Sequence, residues 1–309
     1  MFPSNKLLLE VTSKFSSNTK KENLVLLKEL DKYSKSLKLN RAFRIDNNIF
    51  IKNYLYKNLF YLIKNNRKKN FLSLLKNLID TEFKSFSHKG KKITFFRNHK
   101  LLQSDINQAY HPDIENFYLK KTKNININYI KNINNALIFL NLNAKKFSMF
   151  FLKTISNIVP IDISSLDVNK NISFSSRNIS STIFFSGKNV ILICESIIHE
   201  TTHNFLFMIE KFENLYVNEN KKIKTSLRTD KRPISGFFHQ LIVLHNLSNF
   251  YEILLNNQSD KLILKNKKNI LKRKRLMDKD FKYSLKIYKK NKNLLSDKAI
   301  NLLKIHNIK

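Results

Sequence analysis

The sequence predicts a mainly α-helical protein of the α+β class, with one short β-hairpin. Two observations lead to this prediction. Apolar residues recur at positions i, i+3, i+4 and i+7 over several long segments, which is the spacing of one face of an α-helix. Two short apolar segments in the middle of the chain, ISFSS and STIFFS, instead have the length and the flanking residues of β-strands.

About the first 155 residues are expected to be mainly helical. The helical spacing is clearest in NKLLLEVTSKF, KENLVLLKELDKYSKSL, FIKNYLYKNLFYLIKNN and KNFLSLLKNLIDTEFKSF. A further apolar helix, or a pair of helices, is predicted in INNALIFLNLNAKKFSMFFLKTISNIV, and Pro160 is expected to end it. The predicted hairpin follows, with a turn at Asn-Ile-Ser and a break at Gly187.

The rest of the chain is predicted to return to helices. One covers VILICESIIHETTHNFLFMIEKF, and a second is opened by Pro233, a residue suited to the first helical turn. The second helix is apolar around most of its circumference, so we expect it to be buried as an antiparallel partner of the first. One or two basic amphipathic helices complete the chain. We divide the sequence into a helical N-terminal region (1–158), a metal-binding core (159–257) and a C-terminal helical region (258–309), which should form one compact unit.

The composition excludes several classes of protein. Hydrophobic residues make up 42% of the 309 residues, which is ordinary for a folded protein and too high for a disordered one. No stretch approaches about 18 consecutive apolar residues, and the N-terminus lacks the pattern of a signal peptide. Cys194 is the single cysteine, so no internal disulfide can form. We therefore expect a soluble, cytoplasmic protein without a membrane partner.

Positive charge is the most extreme property of the sequence, with 57 Lys and Arg against 23 Asp and Glu and a net charge of +34. Such a charge is typical of proteins that bind nucleic acids. However, the lysines are spread along the whole chain, which also has only three Gly, four Pro and no Trp. AT-rich codons alone would produce this bias. We therefore attribute the charge mainly to codon bias and do not expect a nucleic-acid partner.

The sharpest local signal is the pentapeptide HETTH, from His199 to His203. Residues four apart lie on one face of an α-helix, so both imidazoles can reach the same metal ion. Glu200 can then act beside the metal as a general base, or contact its ligands. The apolar flanks predict that this helix is buried, which a pair of surface histidines would not require. The motif departs from zinc proteases at Thr201, and the third histidine of the metzincins would fall on Ile209.

A third ligand must therefore come from further along the chain. His239 follows His203 by 36 residues, which is enough chain to return antiparallel and reach the same ion. Glu252, roughly 19 Å further along the same helix, is the alternative. The segment before His239 contains two scarce arginines and a scarce glycine, Arg228, Arg232 and Gly236. A guanidinium matches a carboxylate with two parallel hydrogen bonds, so either arginine suits an anionic co-substrate.

These residues resemble the HExxH-type 2-oxoglutarate-dependent peptide β-hydroxylases, first described as HExxH-motif peptide-modification proteins. The resemblance covers about residues 172–256. It comprises the strand pair, the ESIIHETTH helix and the Arg-x-Asp-x-Arg-Pro-x-x-Gly-x-x-His element in RTDKRPISGFFH. Leu227 stands where family members tend to have an aromatic residue.

The resemblance implies an Fe(II)- and 2-oxoglutarate-dependent oxygenase that hydroxylates a β-carbon of a ribosomally made precursor peptide. It implies that His199, His203 and His239 bind the iron. It further implies that Arg228 or Arg232 binds a carboxylate of 2-oxoglutarate. Three histidines would be a variation on the usual set of two histidines and one carboxylate.

Two other functions are compatible with the sequence. The first is a zinc metallopeptidase, in which Glu200 would be the general base, whereas the resemblance gives Glu200 only a contact with the ligands. The second is a basic nucleic-acid-binding protein in which the HETTH motif is accidental. That function would require the lysines to gather on one face of the molecule, which a sequence alone does not show.

Overall fold

The computed structural model describes residues 5–36, 49–79, 83–89, 91–96, 127–160, 171–225, 231–257 and 259–308. The structure is 74% helical and 9% strand, which confirms the predicted mainly α fold with a few short strands. Within these ranges, no helix has both the length and the apolar character needed to cross a bilayer.

Three helices begin the chain: α1 (Asn5–Ser36), α2 (Ile49–Lys64) and α3 (Lys68–Ile79). All four segments with helical spacing contribute to them, and α1 runs continuously through the first two. Helices α1 and α2 pack against each other along their lengths, and α2 also contacts α3. Their apolar faces meet in a cluster of buried residues that includes Leu30, Leu59 and Phe71.

The segment after α3 is a β-hairpin, where the sequence predicts a continuing helix. Strands β1 (Phe83–His88) and β2 (Lys91–Phe96) pair antiparallel, and Lys89 in the turn has a positive φ of 48°. The apolar residues of FKSF have helical spacing, but the neighbouring ITFF is rich in β-branched and aromatic residues. Pairing with that segment outweighs the local helical preference, so the helix prediction was wrong here.

The hairpin belongs to a five-stranded sheet with the order β1-β2-β3-β5-β4. Strand β3 (Asn157–Pro160) runs parallel to both of its neighbours. Strand β4 (Ile172–Phe174) lies antiparallel to β5 (Thr182–Ser186) at the edge, and these two are the strands that the sequence predicts. The sheet therefore joins strands from both sides of residue 158.

Two helices precede β3, where the sequence predicts helix as far as Pro160. They are α4 (Ile127–Asn143) and α5 (Lys145–Thr154), separated by Ala144. Beyond them, Ile158 and Val159 are fully buried and pair with β5. Parallel strands that are buried on both faces favour such β-branched residues. Pro160 thus closes a strand, and the prediction that it ends a helix was wrong.

Two buried helices form the centre of the fold. Helix α6 (Val190–Glu210) carries the HETTH motif, and α7 (Ile234–Asn256) follows directly on Pro233, as predicted. Their contacts run in opposite order along the two helices, which makes them antiparallel. The contacting pairs are Glu195 with Tyr251, Thr202 with Asn246, and His203 with His239.

The HETTH segment lies where two apolar clusters meet. The first half of α6 packs through Ile193 and Ile197 into a cluster with α4 and α5, and the second half packs through Phe205 and Leu206 into another. Helix α7 passes between the same clusters in the opposite direction, next to Val243. The polar side chains of the HETTH motif therefore lie between the two apolar clusters. Apolar packing on both sides of the motif holds α6 and α7 in place.

The chain ends with two helices, as predicted, α8 (Lys261–Asn291) and α9 (Asp297–Ile305). Helix α8 packs along α7 and begins at an Asp260 cap, whose carboxylate accepts from two backbone amides of the first turn. A small hairpin, β6 (Lys222–Lys224) and β7 (Lys231–Pro233), interrupts the polar segment between α6 and α7. The sequence predicts only a loop there.

Candidate metal centre

Asn204 fixes helix α6 to the sheet next to the predicted ligands. Its side chain is fully buried. The amide Nδ2 donates to the backbone carbonyls of Thr182 in β5 and of Glu200, at 3.0 Å each, and Oδ1 accepts from the Thr182 amide at 3.3 Å. One side chain of α6 thereby satisfies both backbone groups of Thr182, and the helical turn that carries the HETTH motif is held against β5.

Glu200 faces the edge strand of the sheet and is only 3% exposed. Its Oε1 accepts from the hydroxyl of Ser173 and its Oε2 from that of Ser175, both at 2.8 Å. The two serines are two residues apart in an extended segment, so they present their hydroxyls on the same side. Oε1 also lies 3.9 Å from Nε2 of His199. Both carboxylate oxygens are therefore engaged before any substrate arrives.

His199 and His203 stand side by side, as their spacing predicts. Their Nε2 atoms are 3.1 Å apart. Two nitrogens that bind one ion at about 2.0–2.1 Å, with angles of about 90–110° between them, would be about 2.9–3.4 Å apart. The side chain of His199 is 40% exposed, which leaves this edge of the pair open to solvent.

The environment of His203 keeps its ring neutral. Burial lowers its pKa well below the ordinary value, and the nearby His199, His239 and Arg232 lower the pKa further. Metal ions bind the neutral imidazole, so this environment favours ligation over protonation.

Helix α7 brings His239 to the opposite edge of the His203 ring. The Nδ1 atoms of the two rings are 2.9 Å apart, and His239 is 3% exposed. The ring of Phe207 covers both, with centroid distances of 5.0 Å to His239 and 6.0 Å to His203. The third histidine that the sequence singles out therefore contacts the motif directly.

Glu210, the last residue of α6, holds the other side of His239. Its Oε1 lies 2.8 Å from Nε2 of His239 and also accepts from the Tyr216 hydroxyl, while Arg177 pairs with Oε2 at 2.9 Å. Burial raises the pKa of Glu210, but these partners outweigh it, so the pKa is lowered overall. Because a carboxylate accepts at Nε2, that nitrogen of His239 carries the proton and Nδ1 presents its lone pair to His203.

The three histidines form a row, not a ring around one point. His199 faces Nε2 of His203, whereas His239 faces Nδ1, so all three can bind one ion only if a ring turns. Accordingly, no three His, Cys, Asp or Glu side chains in the described ranges already surround a single metal position. The chemistry of the donors fits a divalent ion, because the row offers three imidazoles, one of them oriented by a carboxylate.

The predicted carboxylate-binding arginines are described in part. Arg228 lies outside the described residues. Arg232 is half-buried and lies on β7 opposite Ile223. Its positive charge contributes to the lowered pKa of His203. A Cβ at Gly236 would lie 3.9 Å from the Arg232 Cβ, an ordinary contact, so the glycine is not required by lack of space.

Glu252, the alternative ligand from the sequence, and His245, a further histidine on α7, lie outside the row. The Glu252 side chain is 60% exposed and 3.9 Å from Lys274, so it faces solvent on α7 about 19 Å from the level of His239. The ring of His245 contacts Asn249 at 3.0 Å. Neither supplies a ligand to the HETTH histidines in this arrangement.

A cavity of about 410 Å³ adjoins the row. Phe207 and Glu210 form the wall that it shares with the histidines, and Lys57, Arg177 and Lys211 place three cations around it. A cavity of this size with convergent polar groups can hold a small carboxylate or one side chain of a peptide.

Sequence reasoning missed Glu210, although it lies seven residues after His203 and therefore on the same helical face. It also missed Ser173 and Ser175, for which only an alternation within ISFSS gives a signal. No protein-family model matches the chain, and no characterised protein matches its sequence. A function must therefore be inferred from the site itself.

Proposed function

We propose that this protein is an Fe(II)- and 2-oxoglutarate-dependent hydroxylase of a ribosomally made peptide, and that His199, His203 and His239 hold the metal. The observation that carries the proposal is the 3.1 Å distance between Nε2 of His199 and Nε2 of His203 on α6, together with the third imidazole of His239, whose Nδ1 lies 2.9 Å from Nδ1 of His203. Ferrous iron held by three protein ligands would supply oxygen chemistry, with open positions for a chelating keto acid and dioxygen.

The surrounding residues have defined tasks in this proposal. Glu210 fixes the tautomer and orientation of His239, the usual arrangement for a metal-binding histidine. Arg232 binds the far carboxylate of 2-oxoglutarate, because its positive charge already acts on His203 and its planar guanidinium matches a carboxylate. Glu200 connects the motif to the edge of the sheet through Ser173 of β4 and Ser175 just after it.

A zinc metallopeptidase is the second candidate, favoured by the 3.9 Å distance between the Glu200 carboxylate and Nε2 of His199. A general base must accept a proton from a water molecule beside the metal. Both oxygens of Glu200 already accept hydrogen bonds from serines, and Glu252 faces solvent. These contacts favour the oxygenase over the peptidase.

Metal binding is the first test. Under anaerobic conditions the protein should bind about one Fe(II), and His199→Ala or His203→Ala should abolish binding, because the remaining ligands hold the ion too weakly. His245→Asn, which removes an imidazole outside the row, should bind metal like the wild type. Unchanged metal content in both motif variants would refute a metal centre at this site.

Co-substrate binding is the second test. Calorimetry with an inert divalent metal in place of iron should detect 2-oxoglutarate binding that depends on the metal. Arg232→Ala should weaken it by one to two orders of magnitude, because a charge-assisted bidentate pair contributes roughly 1.5–3 kcal/mol. Lys231→Ala removes an exposed charge from the same strand, so it should change the affinity for 2-oxoglutarate by less than about threefold. Peptide cleavage with zinc and no 2-oxoglutarate binding would favour the peptidase.

A further inference from the structure

Helix α8 carries an unbroken line of basic side chains along its solvent-facing side. Of its 31 residues, 13 are Lys or Arg and two are Asp. Nine of the basic residues follow one another at alternating intervals of four and three, and each of the nine is exposed. We call these nine residues the basic stripe: Lys261, Lys265, Lys268, Lys272, Arg275, Lys279, Lys282, Lys286 and Lys289.

The stripe is narrow, straight and long. At 100° per residue, its members fall within about 120° of the helix circumference, and it runs for about 42 Å at 1.5 Å per residue. Consecutive charges are therefore about 5 Å apart along the axis. The opposite side of α8 is buried against the rest of the protein, through Ile263, Ile270, Met277, Ser284 and Tyr288.

Codon bias does not account for this arrangement, as a comparison within the chain demonstrates. Helix α1, with 32 residues, is the same length within one residue and was encoded under the same bias. Its exposed positions carry both signs, since Glu10, Glu22 and Glu29 alternate with lysines. The exposed positions of α8 hold no acidic residue, because Asp278 and Asp280 are both partly buried. The charge of α8 is thus segregated on one face.

From this segregation we propose that α8 binds the phosphate backbone of a nucleic acid, without reading its bases. A regular, rigid row of cations matches a partner whose negative charges also repeat along a line. Lysines neutralise phosphates as flexible point charges and release the condensed counterions, which supplies most of non-specific affinity. This surface is additional to the metal centre and does not depend on the function proposed for that centre.

The structure favours a nucleic acid over two other polyanions. A helix that lies on an anionic membrane inserts one continuous apolar face. The buried side of α8 packs against the protein, and its exposed apolar residues, Leu264, Leu271, Leu276 and Tyr283, lie on both edges of the stripe and form no such face. Recognition of carboxylates on an acidic peptide favours arginine forks, but Arg275 is the single arginine among the nine stripe residues.

A groove of about 660 Å³ runs beside the stripe, between α8 and the start of α6. Asn266 and Asn269 line it together with Lys272 and Arg275 from the stripe. Asn266 Nδ2 donates to the carbonyl of Leu262, and the Asn269 amide adds an uncharged polar group next to the cations, as in many contacts to phosphate and sugar oxygens. Binding would therefore be centred on the part of α8 from Asn266 to Lys279 that lines the groove.

Fluorescence anisotropy measures how the protein binds a labelled single-stranded RNA of about 20 nucleotides and a labelled DNA duplex of about 20 base pairs over a range of salt concentrations. The full chain should bind with a Kd in the micromolar range at about 100 mM salt, and log Kd should depend linearly on log salt. The stripe variant is K265Q/K272Q/K279Q/K286Q. The control variant, K20Q/K21Q/K28Q/K32Q, removes the same charge from exposed positions of α1.

The stripe variant should bind roughly tenfold or more weakly than the wild type. Its slope of log Kd against log salt should be smaller by about two to four, since each phosphate contact contributes about 0.9 to that slope. The control should bind within about threefold of the wild type, because it changes only the net charge. Equal losses in both variants, or no binding by the wild type, would overturn the proposal. Stripe-dependent binding to phosphatidylserine vesicles or polyglutamate, without nucleic-acid binding, would overturn it too. If the melting temperature of the stripe variant falls, K272Q/K279Q and K21Q/K28Q replace the two sets.

Discussion

At the scale of single residues, the orientation of the histidine row depends on the Glu210 carboxylate. Glu210 contacts His239 on one side and Tyr216 and Arg177 on the other, and its own side chain is only 9% exposed. A carboxylate held by three partners cannot turn, so the histidine that it binds keeps one tautomer. His203 lies between His239 and His199, so the fixed orientation of His239 also constrains the His203 ring.

Replacing Glu210 should therefore weaken metal binding without touching a ligand. Glu210→Gln keeps the shape of the side chain but removes the charge that accepts from His239, so we expect about 10–100-fold lower affinity for Co(II) or Zn(II). Competition titration with a chromogenic chelator measures it. Glu219→Gln is the matched control, because Glu219 also pairs with Arg177 but is 58% exposed. Equal affinity in both variants would contradict the role of Glu210.

A second pair of histidines, His245 and His306, makes the fold sensitive to acid. Burial lowers the pKa of His306 to about 3, with a contribution from His245, and burial lowers the pKa of His245 to about 4. An unfolded histidine titrates near 6.5. Below that pH the unfolded chain takes up protons that the folded chain does not, so stability is lost as the pH falls from about 6.5 toward about 4.

The variant His306→Leu should therefore resist acid better than the wild type. Removing one buried histidine removes a loss of about 1.4 kcal/mol per pH unit, or about 2 kcal/mol between pH 7 and 5. Urea unfolding at the two pH values measures this difference. Lys304→Gln, in the last turn of α9 just before His306, should lose as much stability as the wild type. If His306→Leu loses as much stability as the wild type over this range, protonation of His306 does not drive the acid response.

At the scale of elements, the position of α6 on the sheet is set by few polar contacts within a large apolar surface. Asn204 connects the helix to β5, and Ser173 of β4 and Ser175 just after it donate to Glu200. Apolar packing on either side of the motif supplies most of the attraction, but it has no directional preference. Hydrogen bonds fix the rotation of the helix, and with it the direction of the ligands.

Asn204→Ala should destabilise the protein by roughly 2–4 kcal/mol, because it leaves the amide and carbonyl of Thr182 buried without this partner. The free energy of urea unfolding is the measurement. Asn218→Ala, at an exposed position of the loop after α6, should change it by less than about 0.5 kcal/mol. A loss for Asn204→Ala as small as that of the control would mean that the helix is positioned by packing alone.

At the scale of the whole molecule, one residue reports on the integrity of the core. Cys194 is fully buried in the cluster that joins α4 to α7, and its Sγ lies 3.3 Å from the carbonyl of Ala136. Burial raises the pKa of its thiol. A thiol that is both inaccessible and protonated does not react.

Labelling of Cys194 should therefore follow global unfolding. In native buffer a thiol reagent should react slowly, and its rate should rise with urea along the same curve as the loss of helix measured by circular dichroism. A variant with Cys194→Ser and Ser17→Cys, which moves the thiol to an exposed position of α1, should react at once. Rapid labelling of native Cys194 would contradict the buried position of the first turns of α6.

Features that depend only on neighbours within a few residues could be predicted from the sequence. Helical spacing located α1, α2, α6, α7 and α8, and the interval of four placed His199 and His203 on one face, because a helix repeats every 3.6 residues. The choice of His239 depended on scarcity and on chain length, and the structure places it next to His203. These properties are local, so they can be read without knowledge of the fold.

Tertiary structure decided the features that depend on distant segments. FKSF and NIVP form strands because partners elsewhere in the chain pair with them, which no local spacing pattern indicates. The hydrogen bonds of Glu200 to two serines and of His239 to Glu210 likewise require distant chain segments to meet in space. The basic stripe is the clearest case. Its lysines are visible in the sequence, but they form one exposed line only because the opposite side of α8 is buried against the rest of the protein.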